Sequence, residues 1–114
     1  MLSKELLTVL LEFRHARDWE QFHSPRNLAT AIAIEAAELL EPFRWASEDQ
    51  AREIVIKNRA EISNEIADIA ILLTYLAHDL QIDVDTAVAS KIASNAAKYS
   101  VEKARGTNKK YNEL

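Results

Sequence analysis

Apolar residues recur along this chain at intervals of three and four, the spacing of amphipathic helices and not of strands. Leu6, Leu10 and Phe13 form one such stripe and predict a first helix from about Leu2 to Arg17. Asp18 to His23 reads as a loop. Ser24-Pro25 then supplies an N-cap followed by proline at the first helical position, where its missing N–H costs nothing. A second helix follows from Pro25 to about Phe43, with Leu28, Ile32, Ala36, Leu39 and Phe43 as its stripe. Pro42 should kink or end it, because the ring clashes with the carbonyl four residues back. Ser47 with Gln50 three residues on is a capping-box pattern. It opens a third segment from about Glu48 to Leu80, along which Ile62, Ile66, Ile69, Leu73, Leu76 and Leu80 step by three and four. At ~33 residues this is long for a globular helix, and a break near Lys57-Asn58 is expected. Asp83 or Asp85 can cap a fourth helix that carries Val84, Val88 and Ile92 and ends near Lys98. The remainder, from about Tyr99 to Leu114, is polar and reads as a basic extended tail. The expectation is one all-α domain over residues 1–114, a four-helix bundle-like fold that oligomerises through its long amphipathic helices.

Composition sharpens this picture. Among 114 residues glycine occurs once, proline twice and cysteine never. The scarcity of turn residues favours helices throughout. Without cysteine there are no disulfides and no thiolate metal sites, so a cytoplasmic setting is the expectation. No apolar run reaches the ~20 residues of a membrane span. Met1-Leu2-Ser3-Lys4-Glu5 lacks the basic start and apolar block of a signal peptide. The formal charge is −4, but it is divided: residues 1–90 carry −8 and residues 91–114 carry +4. An acidic body excludes a general binder of polymeric nucleic acid, whose affinity rests on neutralising phosphates. It leaves room for a small anionic ligand held through metal ions.

The candidate chemistry lies in two pairs of acids, Glu35-Ala36-Ala37-Glu38 and Glu65-Ile66-Ala67-Asp68. Residues three apart on a helix are neighbours on one face. Each acid sits one residue before a stripe position, about 100° of helical rotation away, which puts both pairs at the edge of an apolar seam. Antiparallel packing of the two helices would set them face to face across a groove. Four carboxylates crowded there resist ionising together. A hard divalent cation removes the conflict, and oxygen-only ligands point to Mg²⁺ or Mn²⁺. The alternative is that these are ordinary solvated helix acids. A di-iron centre would need two Glu-x-x-His motifs, and only Glu12-Phe13-Arg14-His15 fits.

Other residues are less specific. Trp19, Phe22, Phe43 and Trp45 suit either core packing near helix ends or stacking on a base. His23 can contact a ligand or simply sit at a helix entrance. Lys91, Asn95 and Lys98 share a face of the fourth helix, with Tyr99 one position on. Such a row can bind phosphate oxygens or merely face solvent. No glycine-rich phosphate loop is present, and no Ser/His/Asp arrangement can be argued from spacing.

Taken together, the residues resemble the MazG-like superfamily of all-α nucleoside triphosphate pyrophosphohydrolases, and within it the dCTP pyrophosphatase subgroup. The matching pieces are Arg17-Asp18-Trp19-Glu20-Gln21-Phe22-His23-Ser24-Pro25-Arg26-Asn27-Leu28, Glu35-x-x-Glu38-Leu39, Phe43-x-Trp45, Glu65-Ile66-Ala67-Asp68, Ile82-Asp83 and Lys91-x3-Asn95-x3-Tyr99. The stretch from Gly106 through Lys110-Tyr111 is also similar to that subgroup's C-terminus. The resemblance runs from about Phe13 to Leu114.

The resemblance implies hydrolysis of a nucleoside triphosphate between its α and β phosphates, releasing pyrophosphate and a monophosphate. It implies Mg²⁺ held by Glu35, Glu38, Glu65 and Asp68, with Lys91, Asn95 and Tyr99 near the phosphates. It implies a base pocket formed by Trp19 and Trp45, with His23 and Arg26 nearby. It further implies a homo-oligomer, a tetramer built as a dimer of dimers, with sites completed by neighbouring chains. Clearing surplus or modified nucleotides is the corresponding role. The chain departs from the subgroup at Leu10, where a base-contacting histidine is found, and at Leu72, where a tyrosine is found. Ser100 replaces a proline, and Pro42 is unusual. The metal set is intact, so the departures bear on base selectivity. The competing readings are a related pyrophosphohydrolase acting on dUTP or phosphoribosyl-ATP, and a non-catalytic helical interaction module.

Overall fold

A computed structural model describes residues 1–114 and contains helices and no strands. The elements are α1 (Lys4–Ala16), a 3-10 turn (Trp19–Phe22), α2 (Pro25–Leu40), a second 3-10 turn (Glu41–Phe43), α3 (Glu48–Lys57), α4 (Arg59–Asp79), α5 (Val84–Lys98), α6 (Val101–Ala104) and a last 3-10 turn (Tyr111–Glu113). They divide into two compact units, Met1–Gln81 and Ile82–Leu114.

Local chemistry sets most boundaries. Ser3, Ser24, Ser47, Asp83 and Ser100 each accept a backbone N–H from the first turn of the helix they open. Ser47 and Gln50 complete a reciprocal capping box. Pro42 ends α2 as a regular helix, and the chain tightens into the turn Glu41–Phe43. The long third segment is broken at Asn58, which closes α3 and begins α4. Two residues with side chains take left-handed backbone, Asp18 (φ 53°) after α1 and Gln81 (φ 56°) after α4. Gln21 donates to both the carbonyl and the carboxylate of Asp18 at 3.0 Å, which offsets part of the strain there. The segment from Asp18 to His23 is thus a 3-10 turn and not an open loop.

In the first unit α2 packs against α4, and α3 packs against α4 and the turn before it. The pair α2/α4 runs antiparallel. Glu35 lies beside the same cavity as Asp68, whereas Leu39 and Glu41 share one with Glu61 and Ile62. The inward rows differ from the expected stripes by one residue in three places. On α1 the fully buried residue is Arg14, while Leu6 and Phe13 stay exposed. On α2 Glu35 is half-buried and its neighbour Ala36 is exposed. On α4 Ile62, Glu65, Ile69 and Leu76 turn inward, whereas Ile66, Leu73 and Leu80 remain open. Leu28 and Tyr75 are the buried hydrophobic side chains.

The second unit consists of α5 and the segment after it. That segment is not an extended tail. Ser100 opens α6, and Tyr111 returns to Tyr99 with ring centroids 6.2 Å apart at 87°. The Lys98 ammonium sits 4.9 Å from the Tyr111 ring, a cation–π contact that fastens the C-terminal turn to the end of α5. Gly106, at φ 77°, supplies the left-handed residue the chain needs on leaving α6.

Candidate functional site

The antiparallel pairing of α2 and α4 sets the two acid motifs opposite each other. Carboxylate oxygens of Glu35, Glu38 and Glu65 lie within 4.8 Å of one another. Glu35 Oε2 and Glu65 Oε2 are buried and have no hydrogen-bond donor. Ionised carboxylates only accept, so three of them together cannot satisfy each other. The repulsion acts on their protonation. Glu35 is held above the usual carboxylate range, chiefly by the Glu65 carboxyl beside it. Glu38 is raised chiefly by the neighbouring Glu35 carboxyl. Asp68 is not among the three clustered acids, but its charge adds to the raising of both Glu35 and Glu38. Acceptor-only oxygens buried without donors fit a hard divalent cation.

Beside these acids lies a cavity of about 650 Å³, large enough for a nucleoside-sized ligand. Glu35 and Asp68 border it, and so do Trp19, His23 and Tyr75. The rest of its wall is apolar, and Leu6, Leu10 and Phe13 of α1 belong to it. The apolar stripe read on α1 therefore lines an open cavity, which explains its exposure. Leu10 and Leu72, two of the positions that depart from the dCTP subgroup, are both wall residues.

Trp19 is braced by Phe13, edge-on at 5.7 Å, and the Arg17 guanidinium lies 3.7 Å from the Phe13 ring. His23 closes the 3-10 turn and packs 5.0 Å from the Tyr75 ring. Around it is a cluster absent from the sequence reading. Arg14, 5% exposed, donates from both terminal nitrogens to the Asp79 carboxylate at 2.9 and 2.8 Å. Its guanidinium lies 4.6 Å from the Tyr75 ring, and Nη1 is 3.4 Å from His23 Nδ1. Asp79 is held below its ordinary range, first by the hydrogen bond from Arg14. His15 pairs with Glu20 at 2.8 Å instead of facing the acids. A basic residue in an otherwise apolar row, Leu7-Leu11-Arg14, was the one available signal for this cluster.

Arg26 and Trp45 are not among the residues that line this cavity. Arg26 is exposed on α2, where its carbonyl accepts from Thr30 Oγ1 at 2.8 Å. Trp45 is 83% exposed and borders a smaller cavity with Pro42 and Ile54, with the Arg44 guanidinium 4.6 Å from its ring. Lys91, Asn95, Lys98 and Tyr99 belong to the second unit. Lys91, Asn95 and Lys98 are exposed on α5, and Tyr99 is the residue that ends it.

A model of the MazG-like family matches residues 30–114, both acid pairs included. The chain belongs to the MazG-like family. It is 41% identical over 105 residues to dCTP pyrophosphatase 1 of Mus musculus and 39% identical to that of Homo sapiens. Each alignment covers 90% of this chain and 62% of the relative, so the chain spans about three-fifths of the length of these curated relatives. Among solved structures, a pyrophosphatase from Archaeoglobus fulgidus shares the fold with a TM-score of 0.83 and 43% identity. That match covers 85% of this chain and 91% of the other. The all-α architecture is thus that of a MazG-like protein, and no helix is long and apolar enough to cross a membrane.

Proposed function

We propose that this MazG-like chain is a Mg²⁺-dependent pyrophosphohydrolase that converts a deoxycytidine-type triphosphate, dCTP or a modified dCTP, to its monophosphate and pyrophosphate. The observation that carries the reading is the donorless carboxylate cluster at the edge of a nucleoside-sized cavity. The dCTP pyrophosphatase relatives supply the substrate class.

Glu35, Glu38, Glu65 and Asp68 would hold the cation. Bound there, a divalent ion would neutralise charge developing on the phosphates and polarise the attacking water. Glu35, Glu38 or Glu61 takes the proton of that water. Glu61 shares a cavity with Glu38 and Glu65, and Asn58 Nδ2 donates to it at 3.3 Å. Water adds at the α-phosphorus, the bond to the bridging oxygen breaks, and pyrophosphate leaves without a covalent intermediate. Trp19 and His23 receive the base, Arg26 lies nearby, and Lys91, Asn95, Lys98 and Tyr99 serve the phosphates.

The working form is a homo-oligomer, a tetramer assembled as a dimer of dimers. The exposed row Ile66, Leu73 and Leu80 on α4 supports this, since apolar surface of this kind marks association sites. A neighbouring copy is also the means by which Trp45, remote from the cavity within the chain, joins a base pocket. The lack of cysteine suits a reducing compartment such as the cytoplasm.

The test is pyrophosphate release from a panel of dCTP, 5-methyl-dCTP, dUTP and phosphoribosyl-ATP, with and without Mg²⁺. Metal-dependent release with dCTP-type nucleotides preferred is the expected result. Release from none of them, with no thermal stabilisation by Mg²⁺ plus nucleotide, leaves only a helical interaction module.

A further inference from the structure

We propose that Arg14, clamped by Asp79, is a positioning residue that fixes His23 as the neutral Nε2–H tautomer and so gives the cavity one oriented hydrogen-bond donor for a nucleobase. This rests on the reading that the cavity receives the base.

The argument begins with Arg14. It sits in the last turn of α1, 5% exposed, where an unpaired guanidinium would be costly. Asp79, at the end of α4, neutralises it through two parallel hydrogen bonds. This fork fixes the guanidinium plane as well as its position. The Tyr75 ring lies against it at 4.6 Å. One hydrogen of Nη1 is committed to Asp79, and the other is available toward His23 Nδ1, 3.4 Å away.

A guanidinium has five donors and no acceptor. The imidazole nitrogen that faces it must therefore present a lone pair, and the ring proton belongs on Nε2. Protonating both nitrogens would place two cations in contact. The charged and titratable groups facing His23 are Arg14, Asp79, Glu20 and Tyr75. Burial and the Arg14 charge lower the His23 pKa, and Asp79 and Glu20 oppose them without reversing the result. Across neutral pH the ring is neutral and oriented.

The consequence is for recognition. Apart from the acids Glu35 and Asp68, the cavity wall is otherwise aliphatic or aromatic, the Trp19 indole N–H and the Tyr75 hydroxyl being the other neutral donors among its residues. With Nδ1 engaged, Nε2–H is what His23 offers to the cavity it lines. A fixed donor selects an acceptor, such as the ring carbonyl or unprotonated ring nitrogen of a cytosine edge, and rejects a protonated ring nitrogen at the same place. The chain has leucine at positions 10 and 72, so this donor carries more of the selectivity than it would beside further polar groups.

Long-range proton–nitrogen NMR of the imidazoles in the wild-type protein, without nucleotide at neutral pH, reads the tautomer directly. The Nε2–H form is expected for His23, and an Nδ1–H form or an imidazolium overturns the proposal. Titration with dCMP should then shift the His23 Nε2 signal, and an unmoved signal at saturation also overturns it. This measurement needs no turnover, so a shifted signal without pyrophosphate release refutes the enzymatic reading alone. Arg14→Gln removes the charge and offers both a donor and an acceptor, and Arg14→Met, which offers neither, serves if the first fails to fold. In either, His23 should become a mixture of tautomers. The KM for dCTP should rise about three- to tenfold, the worth of one hydrogen bond, with kcat within about twofold. His23→Ala should raise KM by a similar factor, and the double variant should add nothing further. Fully additive effects, or a raised KM with the His23 tautomer unchanged, would overturn the assignment.

Discussion

Two charged clusters reach the same cavity, one through His23 and Tyr75 and the other through Glu35, and they are neutralised in opposite ways. At one end Arg14 and Asp79 form a bidentate ion pair and their charges cancel within the chain, with Arg14 Nε alone left buried without an acceptor. At the other end Glu35, Glu38 and Glu65 crowd together with two buried oxygens that nothing donates to. The first cluster is balanced in charge as it stands and its role is to hold neighbours in place. The second is incomplete by its own chemistry, and that deficit is what suits it to a cation and a polyphosphate. A folded chain tolerates such a deficit because the acids relieve it in part by retaining protons.

The largest effects should come from the incomplete cluster. Replacing Glu38 or Glu65 by Gln removes an acid from the candidate metal set. Pyrophosphate release should then fall by more than about a hundredfold, since even losing a group behind a metal ligand costs up to that. Circular dichroism should show the fold unchanged, because the substitution relieves repulsion. Turnover persisting in both variants would dissolve the contrast between the clusters.

The next effect belongs to the charge-balanced cluster. Asp79→Ala strands the Arg14 charge in a nearly closed site. A fully buried pair broken this way costs ~3–5 kcal/mol. Asp79 retains 30% side-chain exposure, so about 2–3 kcal/mol is expected in denaturant unfolding.

Acid should separate the clusters by sign. Glu35 and Glu38 have raised pKa values, so the native state holds protons that the unfolded chain releases. Their contribution to stability is therefore full below the ordinary glutamate range and is lost as pH rises through the raised values. Asp79 is lowered, so its contribution is present above the ordinary aspartate range and is lost as pH falls through the lowered value. Thermal melts of the metal-free protein against Glu35→Gln and Asp79→Asn isolate the two slopes. Saturating Mg²⁺ should flatten the first and leave the second. The smallest expected change is Leu72→Tyr, which adds a polar group to the cavity wall. Stability should move by less than about 1 kcal/mol, while the ranking of dCTP against 5-methyl-dCTP in a pyrophosphate assay shifts.

Much of this was legible in the sequence. Serine and aspartate caps, the break at Asn58 and the end of α2 at Pro42 are local decisions, made by hydrogen bonds within a few residues. The pairing of the two acid motifs was also foreseeable, because spacing puts each pair on one face. What periodicity misassigned was rotation. It put Leu6, Phe13, Ile66 and Leu73 inside because they are apolar, whereas Arg14, Glu35 and Glu65 took the inward rows. Hydrophobic spacing assumes that burial follows apolarity, and that fails where charged groups meet each other or line a cavity. The Arg14–Asp79 pair spans 65 positions, and no local pattern announces a contact at that range. The contacts of Tyr111 with Tyr99 and Lys98 escaped for the same reason, inside a stretch whose composition is that of a free tail.

Gln81 ends α4 with its backbone in a mirror-image conformation that an L-amino acid enters at a cost of ~1–2 kcal/mol. At Asp18 a neighbouring amide steadies the comparable twist, but Gln81 is the last residue of the first compact unit and its amide only closes the helix onto His78. The chain thus stores a small torsional load at the last residue of that unit. The residue best able to discharge it is a second glycine in a sequence that has one.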